Sequence, residues 1–452
     1  MVNVILLTID CLRADFTGTL ANNEILTPNL NKFAKEGILF TQAIANGPST
    51  PFSFPSIFTS TYALMDSNFP EMSSLRRSIP ELLEEKGFKT AGFHSNPYLS
   101  KVYKYDKFFE FFYDSISDES ENYKRSNKLR EFIKRHKIIK NLSKKFLNFF
   151  GFKYKLEIPY KTAKAINQKA LKWLENREGD FFVWIHYMDT HHPFLPPEKY
   201  RTISYQKLLK LEKVLSKNSP NTPKKKILEI IEAYKGTIKY VDNEIGVLFD
   251  KLNDLDLYNN SLIIITADHG EEFMEHGDFS HQAKLYEELI HIPLYIKGPK
   301  LPKGETIDDL ISLIDIPPTI LNYLEFEKNP SYKGKSILSL IKKEPDKYVQ
   351  DGVITETLAK EGKVILSLDE GSRIISYRTK NWKLILNFEK DMKELFNLDL
   401  DPKEIKNVYD QNKDIARNYE EILLEHIKME KANYSKSKEL KLIKDSIKKI
   451  KI

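Results

Sequence analysis

ITADHGEEFMEHGDFSH, residues Ile265 to His281, joins an apolar run to a cluster of acids and histidines. The run from Leu262 to Thr266 stops at Asp268-His269-Gly270. Its length and branched side chains are those of a buried strand. A strand that delivers an Asp and a His at its end, with a Gly letting the backbone turn, places divalent-metal ligands at the edge of a parallel sheet. The start of the chain repeats the pattern. VNVILLTIDCLRAD, from Val2, puts Asp10 directly after an apolar run. Two strand-end carboxylates this far apart in sequence point to one site closed by the fold.

Working outward, strands alternate with helices. A helix is expected from Thr27 to Glu36, with Pro28 in its first turn and Gly37 past its end. Another is expected from Ile79 to Lys86, capped by Ser78, with a strand from Thr90 to His94 after it. Tyr160 to Asn176 reads as helix, and Phe181 to His186 as a strand ending at MDTHHP. Lys225 to Leu255 reads as a long amphipathic helix, and His291 to Ile296 as a further strand. Strands separated by helices imply an α/β fold with a mostly parallel sheet covered on both faces. From about Asp351 the pattern changes to short strands, VITET, SRIISYRT and WKLILNF, with Lys390 to Lys393 as a turn. A Lys-rich helical tail runs from about Ala416 to the end. The expected division is 1–345 and 346–452.

Composition sets bounds. The 452 residues are 41% hydrophobic and 30% charged, which suits a globular protein with a sizeable core. The 70 basic residues nearly balance the 64 acidic ones, so charge offers little for nucleic-acid binding. Cys11 is the single cysteine; it rules out an intrachain disulfide and a Cys-cluster zinc site, and favours a reducing compartment. The first apolar run ends at Asp10 and does not read as a signal peptide. No apolar stretch reaches membrane-spanning length. A cytoplasmic, at most membrane-peripheral, location is expected. The basic stretch 123–155, with Phe, Ile and Leu at helical spacing, fits an anionic membrane surface or a helical insertion packed on the body. Lys207 to Lys226 reads as a surface loop.

ANGPSTPFSFPSIFTSTYAL, Ala45 to Leu64, is a loop that runs into a helix near Ser53 to Thr59, with Thr50 just before it. A hydroxyl there meets the positive end of the helix dipole, which favours its alkoxide. A neighbouring metal would lower its pKa further. Taken alone, such a residue is an N-cap.

Seven blocks in order carry a family resemblance: VILLTIDCLRAD, GPSTPFSFPSIFTS, FFVWIHYMDTHHPF, YVDNEIGVLFDKL, ADHGEEFMEHGDFSHQAKLYEELIHIPLYIKGP, LISLIDIPPTILNYL and WKLILNFEKDMKELFNLDLDPKEIKN. Together they resemble the sulfatase family of the alkaline phosphatase superfamily over nearly the whole chain. The resemblance implies a doubly wound α/β sandwich with a small C-terminal antiparallel sheet, and a metal-bound nucleophile attacking a sulfate or phosphate ester. It places Asp10, Asp268 and His269 as metal ligands and Thr50 as nucleophile and ligand. It places Asp189, His191 and His281 around the ester group or on a second metal, with His191 or His281 protonating the leaving oxygen. His186, His192, His276 and His291 are expected to orient neighbours or to pack. Glu271, Glu272 and Glu275 are expected on a solvated helix face after Gly270.

The departures are as telling. Sulfatases proper carry a Cys, converted to formylglycine, in Cys-x-Pro-x-Arg; here that frame reads Thr50-Pro51-Phe52-Ser53-Phe54, so no formylglycine is expected. The second Asp of the family's early pair is Cys11. An imidazole at His269 favours zinc or manganese over calcium, as one ion or two. The expected function is a metal-dependent hydrolase of a small-molecule, lipid or glycan ester, phosphoesters preferred. A phosphotransferase between lipid and glycan or lipid acceptors, and a non-catalytic binding protein on this fold, are the alternatives.

Overall fold

The computed structural model describes residues 3–20, 25–73, 76–115, 159–344, 348 and 350–450. The basic stretch 123–155 lies outside them.

The strands of the main body are β1 (Asn3–Ile9), β2 (Ile38–Ile44), β3 (Lys89–His94), β4 (Phe111–Asp114), β5 (Phe181–Tyr187) and β6 (Ser261–Ala267), followed by a two-strand hairpin, β7 (Glu272–Phe273) and β8 (Phe279–Ser280), then β9 (His291–Lys297) and β10 (Glu305–Ser312). The helices used below are α1 (Pro28–Glu36), α2 (Thr50–Thr59), α3 (Ile79–Glu85), α4 (Ala163–Glu175), α5 (Tyr205–Lys217), α6 (Lys224–Asp254), α7 (Ile316–Tyr323) and α8 (Lys413–Ile450).

Eight strands form one sheet in the order β10-β2-β9-β6-β1-β5-β3-β4. Only β9 runs antiparallel to its neighbours, so the sheet is mostly parallel as expected. The centre is β1, with all seven residues buried, flanked by β5 and β6. A parallel strand covered on both faces has no polar side to offer, which is why NVILLTI is nearly continuous in apolar residues. Local chemistry sets the helix ends. Ser78 and Glu81 form a reciprocal capping box at α3, with a Pro in its first turn.

The second sheet is antiparallel, with β11 (Val353–Lys360), β12 (Lys363–Val364), β13 (Ser372–Arg378), β14 (Trp382–Asn387) and β15 (Met392–Asn397) in the order β12-β11-β13-β14-β15. One face packs on Ile44, Leu289 and Ile290 of the main body, and the other takes Ala416 and Leu423 of α8. A division near residue 345 remains our proposal.

Four local expectations change. Lys207 to Lys217 is helical; Leu208 and Leu211 are buried at helical spacing, and only residues 218–223 connect α5 to α6. The stretch after Gly270 is the β7–β8 hairpin rather than a helix. Met392 and Lys393 open β15 instead of closing a turn. Helix α2 begins at Thr50 itself.

Candidate active site

Register positions the first two carboxylates. Ile9 pairs with Ala267 across β1 and β6, and the next residue on each strand is Asp10 or Asp268. Neighbouring strands lie about 4.8 Å apart, so the two side chains leave the sheet edge together. Both are fully buried. Cys11 turns the chain away in the left-handed region, at φ 56°. Gly270 is required by close approach: a Cβ there would lie 2.0 Å from the Glu288 carbonyl oxygen.

Helix α2 brings Thr50 onto this pair. Its hydroxyl donates to Asp268 Oδ2 at 2.8 Å and lies 3.3 Å from Asp10 Oδ2 and 3.5 Å from His269 Nε2. His269 Nδ1 sits 2.9 Å from the Gly270 carbonyl, which leaves Nε2 facing both carboxylates at 3.7 Å. An imidazole held by a backbone carbonyl at one nitrogen presents the other to a metal. Asn96, just past β3, donates to Asp10 Oδ2 at 2.7 Å and lies 3.3 Å from the Thr50 hydroxyl.

Electrostatics explain what such a group of buried acids lacks. Burial works against ionisation of Asp10, yet the close approach of His186 and the imidazoles of His191 and His269 outweigh it and hold its carboxyl well below the usual range. Burial, then repulsion from Asp10, pushes Asp268 up to about 7. Burial lowers His269, so its imidazole stays neutral and able to ligate. His186 Nε2 has no hydrogen-bond partner and points at Asp10 Oδ2 from 3.4 Å. Two carboxylates, a neutral imidazole and a hydroxyl, converging with no ammonium or guanidinium among their bonded partners, fit a divalent cation.

A second group adjoins the first. His281 and His191 have ring centroids 5.2 Å apart. His281 Nδ1 lies 3.2 Å from Glu271 Oε2 and 3.6 Å from Cys11 Sγ. Glu271 is buried, and the neighbouring His281 holds it at about 2 against the effect of burial. It is not on a solvated face, because β7 folds inward; Glu272 is buried with it and paired with Lys284. Asp189, expected beside His191 and His281, turns away. Its Oδ2 accepts the Ala163 N–H at 2.7 Å at the start of α4. The helix terminus satisfies that carboxylate, and burial pushes it up to about 7. Among the histidines expected to pack, His276 pairs with Glu288 at 2.6 Å and His291 Nε2 meets the Thr41 carbonyl at 2.8 Å.

These groups open onto a cavity of about 400 Å³ lined by Thr50, Asn96, Tyr160, His191, His281 and Lys363, among others. That falls within the roughly 300–1,000 Å³ range of small-molecule sites. A larger cavity of about 840 Å³, beside Asn3 and Lys342, lies at the opposite edge of β1 and holds none of these groups. Sequence reading missed three residues of the site. Asn96 stands two residues past β3, KTAGFH, a strand end much less apolar than those before Asp10 and Asp268. Glu271 was hidden among solvent-type acids. Lys363 reaches the cavity from the second sheet, and no local pattern marks it.

The sulfatase family model matches residues 2–326, and the model of the N-sulphoglucosamine sulphohydrolase C-terminal region matches 274–431. Arylsulfatase K of Xenopus laevis is 23% identical over 394 residues, covering 78% of this chain and 68% of that protein. An uncharacterized sulfatase of Escherichia coli is 24% identical over 407 residues, covering 85% and 78%. The phosphonate monoester hydrolase of Agrobacterium radiobacter superposes with a TM-score of 0.74 at 17% identity, over 95% of this chain and 96% of that one. A structure solved with its substrate D-glucosamine-2-N,6-O-disulfate gives 0.71 at 19%, over 95% and 98%. At these identities the superpositions speak to fold.

Proposed function

The chain belongs to the sulfatase family and is a hydrolase acting on sulfate or phosphate ester bonds, and we propose that Thr50 is its nucleophile and that phosphoesters are its preferred substrates. The observation that carries this is the Thr50 hydroxyl at the head of α2, within 3.3 Å of a carboxylate oxygen on each of Asp10 and Asp268.

In this reading Asp10, Asp268, His269 and Thr50 hold a divalent cation, zinc or manganese rather than calcium. When bound, the cation supplies the positive charge that acidifies a hydroxyl and offsets charge on an ester oxygen. Thr50 Oγ1 gives its proton to Asp268 Oδ2, the acceptor of its hydrogen bond. The oxygen attacks phosphorus in line, an Oγ–P bond forms, and the bond to the leaving oxygen breaks. His191 or His281 gives that oxygen a proton. Water then gives a proton to that histidine and attacks the covalent Thr50 ester, and Thr50 regains its proton from Asp268 as the Oγ–P bond breaks. Asn96 fixes the Asp10 carboxylate and the Thr50 hydroxyl relative to each other.

No formylglycine enters this scheme, because Thr50 stands at the nucleophile position and Cys11 is the chain's single cysteine. The substrate is a small-molecule or glycan ester of a size to fill the 400 Å³ cavity. Asp189 is left out of the ester-binding set, since it serves α4. The transferase reading rested on the basic stretch 123–155, and no described residue of the site favours it. No helix among the described residues is long and apolar enough to cross a membrane.

The test is turnover of nitrophenyl phosphate, bis-nitrophenyl phosphate, a nitrophenyl phosphonate and nitrophenyl sulfate, after chelation and reloading with zinc, manganese or calcium. Phosphoester turnover that vanishes in Thr50→Ala supports both halves of the reading. Sulfate turnover without phosphoester turnover overturns the preference, and activity surviving in Thr50→Ala overturns the nucleophile.

A further inference from the structure

Away from the catalytic cleft, β11 and α8 bring three ligating side chains together. His426 and Glu430 stand four residues apart on α8, the spacing that puts two side chains on one helix face. Glu356 meets them from β11, and one ligand atom from each lies within 4.8 Å of the others. Glu356 and Glu430 have no exposure and His426 has 7%.

The Arg373 guanidinium bonds Glu356 Oε2 at 3.1 Å and also Glu430. Two buried carboxylates thus share one guanidinium, with His426 standing beside Glu430. Two atoms of the group also lack hydrogen-bond partners, His426 Nε2 and Glu430 Oε1. They face each other at 3.4 Å. Two ligands on a tetrahedral ion, each about 2.0–2.1 Å from it, sit about 3.3 Å apart. The orphaned atoms are therefore spaced as two ligands of one ion are. Carboxylate and imidazole donors together suit zinc or manganese better than magnesium or calcium.

We propose that Glu356, His426 and Glu430 form a distal zinc site that is separate from the catalytic ligands. Its role is to pin α8 to the catalytic wall. Glu356 accepts the Leu64 N–H at 3.1 Å through its side chain and donates its own N–H to the Asn46 carbonyl at 3.0 Å. Those two residues flank the nucleophile helix α2 on either side. Zinc held by Glu356 and by α8 thus ties the C-terminal helix to both ends of the segment that carries Thr50.

The experiment uses the full chain with its catalytic ligands removed, Asp10→Asn/Asp268→Asn/His269→Ala, with and without His426→Gln. Each protein is loaded with zinc, freed of excess and assayed for bound zinc by elemental mass spectrometry, with melting temperature read in parallel. The expected result is one zinc per chain in the triple variant and a zinc-dependent rise in melting temperature, both lost on adding His426→Gln. A folded triple variant that binds no zinc, or an unchanged zinc content after His426→Gln, overturns the proposal. If the triple variant does not fold, His426→Gln and Glu430→Gln are compared with the unaltered chain. A fall of one zinc per chain with ester turnover retained supports the site, and an unchanged content overturns it.

Discussion

Asp10 and Asp268 leave adjacent parallel strands at one level, each a single residue beyond the Ile9–Ala267 pair. The sheet register therefore sets their proximity, and no loop has to find it. The same register creates their conflict, since two carboxylates with no exposure share one small space. Burial and Asp10 together push Asp268 up to about 7. Folded Asp268 binds its proton more tightly than unfolded Asp268 does. Below about pH 4 both states are protonated, and the folded state is at no disadvantage from this group. As pH rises from about 4 to 7, that advantage of the protonated form is lost, at a cost of up to about 4 kcal/mol. Metal-free protein should therefore melt at a lower temperature at pH 8 than at pH 5, and Asp268→Asn should flatten the difference. Other buried acids with raised values, such as Asp189, contribute the same trend, so the comparison between the two proteins is the measurement. An Asp268→Asn profile as steep as the parent's would count against the conflict.

Asn96 holds both partners of the proposed attack. Its amide donates to Asp10 Oδ2 at 2.7 Å and lies 3.3 Å from Thr50 Oγ1. A hydrogen bond to a charged group contributes about 1.5–3 kcal/mol. Asn96→Ala should lower kcat by about 10- to 100-fold with little change in KM. Asn96→Asp would place a third carboxylate beside Asp10 and Asp268 and should tighten metal retention while still lowering kcat. A change confined to KM would move Asn96 from positioning to substrate binding.

How much of this was legible depends on the kind of signal. Asp10 and Asp268 were readable because a buried strand that ends in a polar residue is visible in one dimension. Asn96 carries a weaker version of that signal, since β3 reads KTAGFH and Ser95 comes between. An amide after a strand also reads as an ordinary turn. Asp189 misled for a related reason. A loop carboxylate near histidines looks like a ligand, and nothing local shows that the Ala163 N–H of α4 has claimed it. Glu271 and Glu272 looked solvated because acidic runs usually are; their burial depends on the β7–β8 hairpin folding inward. In α5, Lys207, Lys210 and Lys213 around Leu208 and Leu211 mask a helical period that packing makes plain. Contacts from the second sheet, such as Lys363 at the cavity, are long-range and leave no local trace.

Lys383 tests how the two sheets are joined. It is fully buried on β14 and pairs with Glu287 of the main body at 3.0 Å and Glu404 at 2.6 Å. Removing the cation leaves the buried Glu404 without its ammonium and part-buried Glu287 with only Arg378, at 3.4 Å. Lys383→Ala should cost about 3–5 kcal/mol, read as a lower denaturation midpoint. Lys383→Met keeps the volume but not the charge and should cost nearly as much if charge pairing is what matters. A mild Lys383→Met beside a severe Lys383→Ala would assign the effect to packing instead.

Lys363 offers a way to tell which ester the cavity was built for. It is an exposed residue of β12 and the one ammonium among the described residues lining the cavity that also holds Thr50 and His191. An exposed ammonium attracts an anion weakly and is screened by salt, so its effect should fall on binding. It should also scale with substrate charge. A phosphate monoester dianion feels it about twice as strongly as a diester or a sulfate monoanion at the same distance. Lys363→Ala should therefore raise KM a few-fold for nitrophenyl phosphate at low salt. It should raise KM less for bis-nitrophenyl phosphate and nitrophenyl sulfate, with kcat nearly constant throughout. The difference should shrink as salt is added. If all three substrates lose equally, Lys363 recognises something other than the ester charge. A fall in kcat instead would place its ammonium against the leaving oxygen, a role here given to His191 or His281.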